Sequence, residues 1–506
     1  MDFMVQKLPA VIVATPLIIS FFIFALGWRF KKPAYPLAIL ALAVCLLSSL
    51  AVLSEVMQNG VFEYYLGGWP PPIGITYRID HLNAIMLVLI SLLGLLTAIH
   101  AKKSIERELP DRTTLFWSLL ALMITGLLGI CITGDLFNLF VLLEVTALSG
   151  YALVAMGEKR ALYASFRYIV IGTIGASFYL LGVGYLYMAT GSLNMADMAQ
   201  LLPQLYQSKT VMVGFVFIFM GLSVKMALFP MHVWLPDAYT YASSAASAAV
   251  APLATKVIAY AMIRVMLTVF LPDFSISMLR VTDIMVWLGT FAILFGALMA
   301  LSQTDYKRML TYVIVAEIGY IFGGIGVANA IALKGAVFHI VNDAMMMACL
   351  FLVAGQITYK TGGHAIDNFR GMFKNMPITA VIFTVGALAV IGVPPTCGFF
   401  SKWYLLLGGI EAGQWGFVTA LLVCTLVNVA LFFRIFDKAL FTHAYKPEPP
   451  PAELVSNLGP GGGHSKEAPL SMLIPAFALA VVIVLVGIYN QFIVNNIIQY
   501  TVPPGF

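Results

Sequence analysis

The chain has 506 residues, of which 61% are hydrophobic and 10% charged, with 28 Lys and Arg against 23 Asp and Glu for a net charge of +5. A soluble protein of this length carries about 25% charged residues, so the composition describes a polytopic membrane protein without a soluble catalytic domain. The positive excess sits in loops and implies no nucleic-acid partner.

Cysteines such as Cys45, Cys131, Cys397 and Cys424 fall within apolar segments and lack CxxC spacing. Neither a disulfide framework nor a zinc or iron–sulfur site is expected, and no cofactor is called for. No Walker A or dinucleotide fingerprint is present, so the chain is not expected to hydrolyse a nucleotide on its own. The first apolar run lacks a short h-region and small-residue cleavage site and reads as a retained span.

About 20 apolar residues cross a bilayer. Fourteen such spans are expected, near 9–28, 35–57, 80–101, 114–132, 134–157, 161–190, 211–229, 240–270, 282–303, 309–328, 331–358, 377–406, 415–441 and 470–498. The fourth and fifth are separated only at Thr133-Gly134-Asp135. Seventeen Lys and Arg fall in one set of alternate loops, five in the other and six within spans. That asymmetry places the first set in the cytoplasm and both termini outside, in a multi-pass protein of the cell (inner) membrane. Trp69-Pro70-Pro71-Pro72 reads as a stiff external cap. Residues 446–469, with Pro449-Pro450-Pro451 and Gly461-Gly462-Gly463, read as a cytoplasmic linker that lets the last helix dock apart from the main bundle, or as a surface loop without a role.

The stretch Gly221–Arg264 organises the reading: it is mostly apolar, yet carries Lys225, His232, Asp237 and Lys256 and is broken by Pro230, Pro236 and Pro252. A lysine in hydrocarbon costs roughly 2.5–3.5 kcal/mol even on the lenient insertion scale. Lys225 is near enough to a break to snorkel; Lys256 is well inside its span. Both are read as lining a hydrated path. Lys225 lies 81 residues after Glu144, and Lys402 lies 85 after Glu317, each lysine beside a proline break. Spans four to eight and nine to thirteen thus read as two five-helix units; because five is odd, the second copy is inverted. The expected architecture is all-α: a three-helix segment (1–112), two inverted repeats (113–270 and 281–442) containing broken helices, the linker (446–469) and a C-terminal helix (470–506).

A buried carboxylate resists ionisation, and an adjacent ammonium restores it, so a Glu144–Lys225 pair that opens and closes is a switchable proton site. The structural alternative is a fixed ion pair setting helix register. His339 and Asp343, four apart, share one helical face, where the carboxylate could orient the ring. Asp80, His81 and Asp135 lie at span ends, where solvation is cheap, and Met345-Met346-Met347 reads as flexible packing.

These residues resemble a known family. KMALFPMHVWLPD (225–237) with Lys256 downstream, DYKRMLTY (305–312), His339 and GFFSK (398–402) resemble the proton-conducting, antiporter-like membrane subunits of respiratory complex I, membrane-bound hydrogenases and Mrp-type cation/proton antiporters. TGDLFNLFVLLE (133–144) and Lys402 resemble the D-type chain of the Mrp antiporters most closely. The candidate midplane proton relay is Glu144, Lys225, His232, Lys256, Glu317, His339, Asp343 and Lys402; the resemblance implies roles for Glu144, Lys225, His232, Lys256, His339 and Lys402, while Glu317 and Asp343 are read from the residues themselves. In it Glu144 and Lys225 switch, Lys256 bridges and Lys402 stands at the exit. Where relatives often carry His-x3-His-x3-Lys, this chain reads His339, Asp343, Met347, so the centre of the relay needs Asp343, bound water or a partner subunit.

The expected function is a membrane subunit of a multisubunit Na⁺ (or similar cation)/proton antiporter, working with other small hydrophobic subunits in lipid. The alternative is a proton-pumping subunit of a complex I-like or hydrogenase redox assembly. A structural subunit with a dead relay, suggested by Met347, and a partner to zinc-dependent carbon hydration are weaker readings.

Overall fold

The computed structural model describes residues 5–27, 29–157, 159–279, 281–441 and 467–503. In chain order the helices are α1 (Leu8–Gly27), α2 (Ala34–Asn59), α3 (His81–Glu108), α4 (Thr113–Ile132), α5 (Leu136–Ala155), α6 (Lys159–Thr190), α7 (Met195–Leu201), α8 (Lys209–Lys225), α9 (Leu235–Tyr241) and α10 (Ser244–Arg264). They continue with α11 (Val281–Leu301), α12 (Tyr306–Gly326), α13 (Ala330–Thr361), α14 (Met372–Asn375), α15 (Pro377–Ile391), α16 (Cys397–Glu411), α17 (Trp415–Phe441), α18 (Leu470–Ile488) and α19 (Asn490–Asn496). The protein is an all-α, multi-pass membrane protein. Among the described residues, 12 helices are long and apolar enough to cross a membrane.

The other two expected crossings are broken helices. α8 stops at Lys225, Ala227 takes φ 59°, and after Pro230 the chain resumes as a 3-10 turn (Met231–Trp234) and α9. Pro230 has no backbone N–H to offer the Met226 carbonyl, and at the break the Val224 carbonyl accepts from both the Ala227 N–H at 3.1 Å and the Trp234 indole N–H at 3.2 Å. The seventh span therefore ends sooner than its hydropathy suggested. α15 ends at Gly392 (φ 90°), and α16 begins after Pro394-Pro395.

Short polar residues set where intact spans begin. The Asp80 carboxylate accepts from the Leu82 and Asn83 N–H groups, while Asn83 Oδ1 accepts from Asp80 N–H, closing a capping box on α3. Asp135 caps α5 by accepting from Asn138 N–H at 2.6 Å, which makes the Thr133-Gly134-Asp135 break a true helix boundary. Asp305 caps α12 and contacts His364; although burial pushes its carboxyl up, the His364 hydrogen bond and charge hold it below its ordinary value.

The Pro-rich stretch at 69–72 lies between two antiparallel strands, β1 (Phe62–Tyr65) and β2 (Thr76–Ile79), paired Phe62 to Ile79 and Tyr65 to Thr76. The C-terminal helix corrects an expectation. Residues 446–466 of the linker lie outside the described residues, but α18 packs on α3, α13, α15 and α16 instead of standing apart. Gln356 Nε2 donates to the Met472 carbonyl, and the Glu467 carboxylate accepts from the Ile378 N–H and Thr379 hydroxyl at the start of α15.

The order α4, α5, α6, α8/α9, α10 recurs as α11, α12, α13, α15/α16, α17, with the broken helix fourth each time. α11 and α12 approach so closely that a Cβ on Gly289 would sit 2.7 Å from Gly323 Cα. The spans of α12 and α13 are buried throughout by protein, and α10 is nearly so. α10 and α13 pack together, and that contact joins the two helix sets.

Candidate functional site

All eight candidate relay residues lie among the described residues, and all but His232 meet a charged partner. Lys225 ends α8, where a cation faces the negative end of the helix. Its Nζ lies 2.7 Å from Glu144 Oε1 on α5, the lysine 6% and the glutamate 25% exposed. A cavity of about 30 Å³ adjoins Lys225, walled by Thr146, Tyr151, Tyr168 and Trp234 and, on α10, by Ala254 and Ile258. A space of that size holds about two waters.

Lys256 is fully buried at the middle of α10, and its Nζ lies 2.9 Å from Asp343 Oδ2 on α13, also fully buried. The contact is an ion pair off the hydrogen-bonding direction, leaving Nζ and both carboxylate oxygens without a directed hydrogen bond. This corrects the reading that set Asp343 beside His339. Although one turn apart on α13, they face different helices, and Asp343 turns to α10.

His339 instead meets Glu317 of α12, with Nε2 to Oε2 at 2.5 Å, and its Nδ1 lies 2.9 Å from the Ser401 hydroxyl of α16. Glu317 Oε1 faces Lys402 Nζ at 3.4 Å. The same ammonium donates to the Val390 carbonyl at 2.6 Å and lies 4.8 Å from the Tyr320 ring centre. Lys402 thus satisfies a carbonyl of the last turn of α15, which has no helical partner beyond the break.

His232 is not brought into this chain of contacts. Its buried ring stacks on Phe229 and edges against Phe295, and Nδ1 has no hydrogen-bond partner. Glu144, Glu317 and Asp343 match Lys225, Lys402 and Lys256 one for one. The pairs form a series through adjacent helices: α10 walls the Lys225 cavity and carries Lys256, while α13 carries both Asp343 and His339. Desolvating each ion costs several kcal/mol, and removing one partner costs about 3–5 kcal/mol, so the pairs are expensive ways merely to fill space.

Sequence reasoning passed over two groups. Asp80, read as a solvated span end, is largely buried against Arg264 at 2.5 Å; the Arg264 Nε–H donates to Tyr260, whose hydroxyl donates to the Cys131 carbonyl. Arg264 lies eight residues after Lys256 on α10, a spacing that signalled a shared helix but not a partner. The other group is His100, wholly buried on α3.

Residues 133–427 match the family described as NADH:quinone oxidoreductase/Mrp antiporter, TM. The chain belongs to this family. Within it, the chain is 43% identical over 503 residues to NADH-quinone oxidoreductase subunit N of Desulforudis audaxviator, covering 99% of each. It is 33% identical over 399 residues to the D-type chain of the Na(+)/H(+) antiporter of Alkalihalophilus pseudofirmus, covering 78% of this chain and 79% of the relative. A chain in the structure of the membrane-bound sulfane sulfur reductase, an archaeal respiratory membrane complex, superposes with a TM-score of 0.87 at 31% identity, covering 98% of this chain and 97% of that one. The antiporter-like character read from the sequence holds. Both branches to which the sequence pointed are represented among these relatives, and the quinone-oxidoreductase relative is the more similar of the two.

Proposed function

We propose that this antiporter-like chain is a proton-translocating subunit of a hetero-oligomeric membrane complex. The relay runs Glu144–Lys225, Lys256–Asp343, then His339–Glu317–Lys402. The observation that carries the reading is that Lys225 and Lys402 each stand at a helix break opposite a glutamate. A break lets the lysine move against its partner, and separating the pair lets the ammonium release its proton. Asp343 takes the central place that the missing second histidine and Met347 leave open. His232 is then a neighbour of the first break and not a relay member.

We further infer that the two five-helix sets are inverted repeats, 113–270 and 281–442, supported by their matching order and odd helix number. On the positive-inside asymmetry, the Lys- and Arg-rich loops face the cytoplasm of the cell membrane, and both termini lie outside.

Two drivers are compatible with this relay. Exchange of protons for Na⁺ or a similar cation is supported by the antiporter relative; a redox-driven pump is supported by the greater identity, along the whole chain, to a quinone-oxidoreductase subunit. The second is the better supported. The test is gentle purification of the native complex with its absorption spectrum, followed by transport in vesicles. Flavin or iron–sulfur absorbance with soluble subunits supports the redox pump. Several hydrophobic subunits, no chromophore and Na⁺-dependent proton exchange establish the antiporter. Wild-type proton transport by Glu144→Ala or Lys225→Ala would sink both.

A further inference from the structure

The segment between the first helix break and α10 is held by cations from both helix sets. It runs from the 3-10 turn (Met231–Trp234) through α9 to Ala242. Two arginines of α6, in its own set, grip one side. Arg167 pairs with the Asp237 carboxylate at 2.7 Å and donates to the Val233 carbonyl at 3.5 Å, while Arg160 donates to the Tyr241 hydroxyl at 3.2 Å. Two adjacent residues of α12, in the other set, grip the opposite side. Arg308 pairs with the second Asp237 oxygen at 3.4 Å, and the buried Lys307 ammonium donates to the Ala242 carbonyl at 2.6 Å.

Asp237 is the one acidic residue of this segment, and it faces an arginine from each set. α9 already packs directly on α6 and α12, and partly exposed ion pairs of this kind add little to stability. What two arginines on one carboxylate do fix is the position of the segment between the sets. The counterpart after the second break is anchored differently. Asn329, at the start of α13 in the same set, donates to the Gly408 carbonyl at 2.9 Å and to the Glu411 carboxylate at 3.1 Å, both at the end of α16.

The contacts at the ends of the segment place it between the two glutamate–lysine pairs. At its near end, Trp234 donates to the Val224 carbonyl, next to Lys225. At its far end, a cavity of about 370 Å³ adjoins Tyr241, Ala242, Ser243 and Lys307 and leaves room for a shift. α12, which meets the segment through Lys307 and Arg308, carries Glu317 and is buried throughout. Coupling between sites is carried by packed side chains and rigid helices when one element has two arrangements. A half-helix beside a break is such an element.

We propose that Asp237 is a positioning residue that couples the two halves of the relay, a role that rests on the proton-translocation reading above. Through Arg167 and Arg308 it ties the half-helix after the first break to α6 and α12 together. Opening of the Glu144–Lys225 pair shifts that half-helix, and the Asp237–Arg308 contact passes the shift to the helix that carries Glu317.

The test uses the full complex, purified with all its subunits and reconstituted into vesicles. Asp237→Asn keeps the size of the side chain and removes its charge. The complex is expected to assemble and to melt within about 3 °C of wild type, while driven proton transport falls about ten-fold. Arg308→Gln cuts only the link to α12 and is expected to lower transport about five-fold, whereas Arg308→Lys keeps the cation and stays within about two-fold of wild type. Combining Asp237→Asn with Arg308→Gln lowers transport no further than Asp237→Asn alone. Hydrogen exchange over residues 306–312 gives a readout that a merely structural role would not move. Lys225→Ala, which frees the first break, is expected to raise exchange there about three-fold, and to leave it unchanged in the Asp237→Asn background. Transport by Asp237→Asn within about two-fold of wild type overturns the coupling, as does an exchange response that persists without the carboxylate. Where Asp237→Asn fails to assemble, Arg308→Gln decides by the same two measurements. If Lys225→Ala abolishes transport and Asp237→Asn leaves it unchanged, only the coupling fails; if Lys225→Ala transports at the wild-type rate, the relay and the coupling fail together.

Discussion

The first and second halves of the proposed relay use the same residue types at a helix break, but they build them differently. In the first, Lys225 precedes the break and meets one partner, Glu144, which is partly exposed and has a water-sized cavity nearby. In the second, Lys402 follows the break, is tied to the Val390 carbonyl, and meets a fully buried Glu317 that also holds His339. The first is a simple two-member contact that can open at modest cost because its glutamate can be hydrated. The second is a branched network in which Glu317 can shift between an imidazole at 2.5 Å and an ammonium at 3.4 Å without losing a partner. A switch is easiest to build in the first kind of site, and proton sharing in the second.

That difference is sharpest when the two glutamates are removed. Glu317→Ala strips the carboxylate from a fully buried His339 and from Lys402, which borders a cavity of about 200 Å³, and is expected to destabilise the protein by about 3–5 kcal/mol, chiefly at the His339 side, with little assembled complex recovered. Glu144→Ala is expected to assemble normally, because Lys225 can be hydrated, and to lose transport by about a hundred-fold. Size-exclusion chromatography with vesicle transport measures both. Equal yields of the two variants would erase the distinction between the halves.

Within the second half, Ser401 holds His339 Nδ1 and so fixes which nitrogen faces Glu317. His339→Phe is expected to slow transport about a hundred-fold, and Ser401→Ala only about ten-fold, since the ring remains but its tautomer is freed. Steady-state transport rates at several pH values check the order. The smallest effect concerns the first break, where Ala227 sits at φ 59°. Ala227→Gly relieves that strain and is expected to raise stability by about 0.5–1 kcal/mol, read as a higher melting temperature of the complex. No gain would mean that the break is held by other contacts, such as Trp234 on Val224.

Much of this was legible in the sequence. Hydropathy marked fourteen crossings because lipid demands apolar runs of fixed length, and prolines marked the two that break. The pairs Glu144–Lys225 and Glu317–Lys402 were readable from their similar spacings. Lys256–Asp343 was not. Residues four apart in a helix differ by about 40° in direction, enough for His339 and Asp343 to meet different neighbours, and sequence does not say which helices those are. His100 was hidden as a single polar letter in an apolar run, and sequence does not show that it is wholly buried. The β1–β2 pair was too short to show a strand period beside the prolines. The docking of α18 rests on Glu467 and Gln356, whose partners are distant in sequence.

The central claim is that the buried charges are kept for proton movement and not for holding the helices together, and the Lys256–Asp343 pair tests it most directly. Replacing both with apolar residues of similar size, Lys256→Met with Asp343→Leu, removes the charges without stranding either one. Proton transport by the reconstituted complex is then the measurement. The expected result is a complex that assembles and melts like wild type while transport falls by at least about a hundred-fold. A double variant that transports protons at the wild-type rate would contradict the relay.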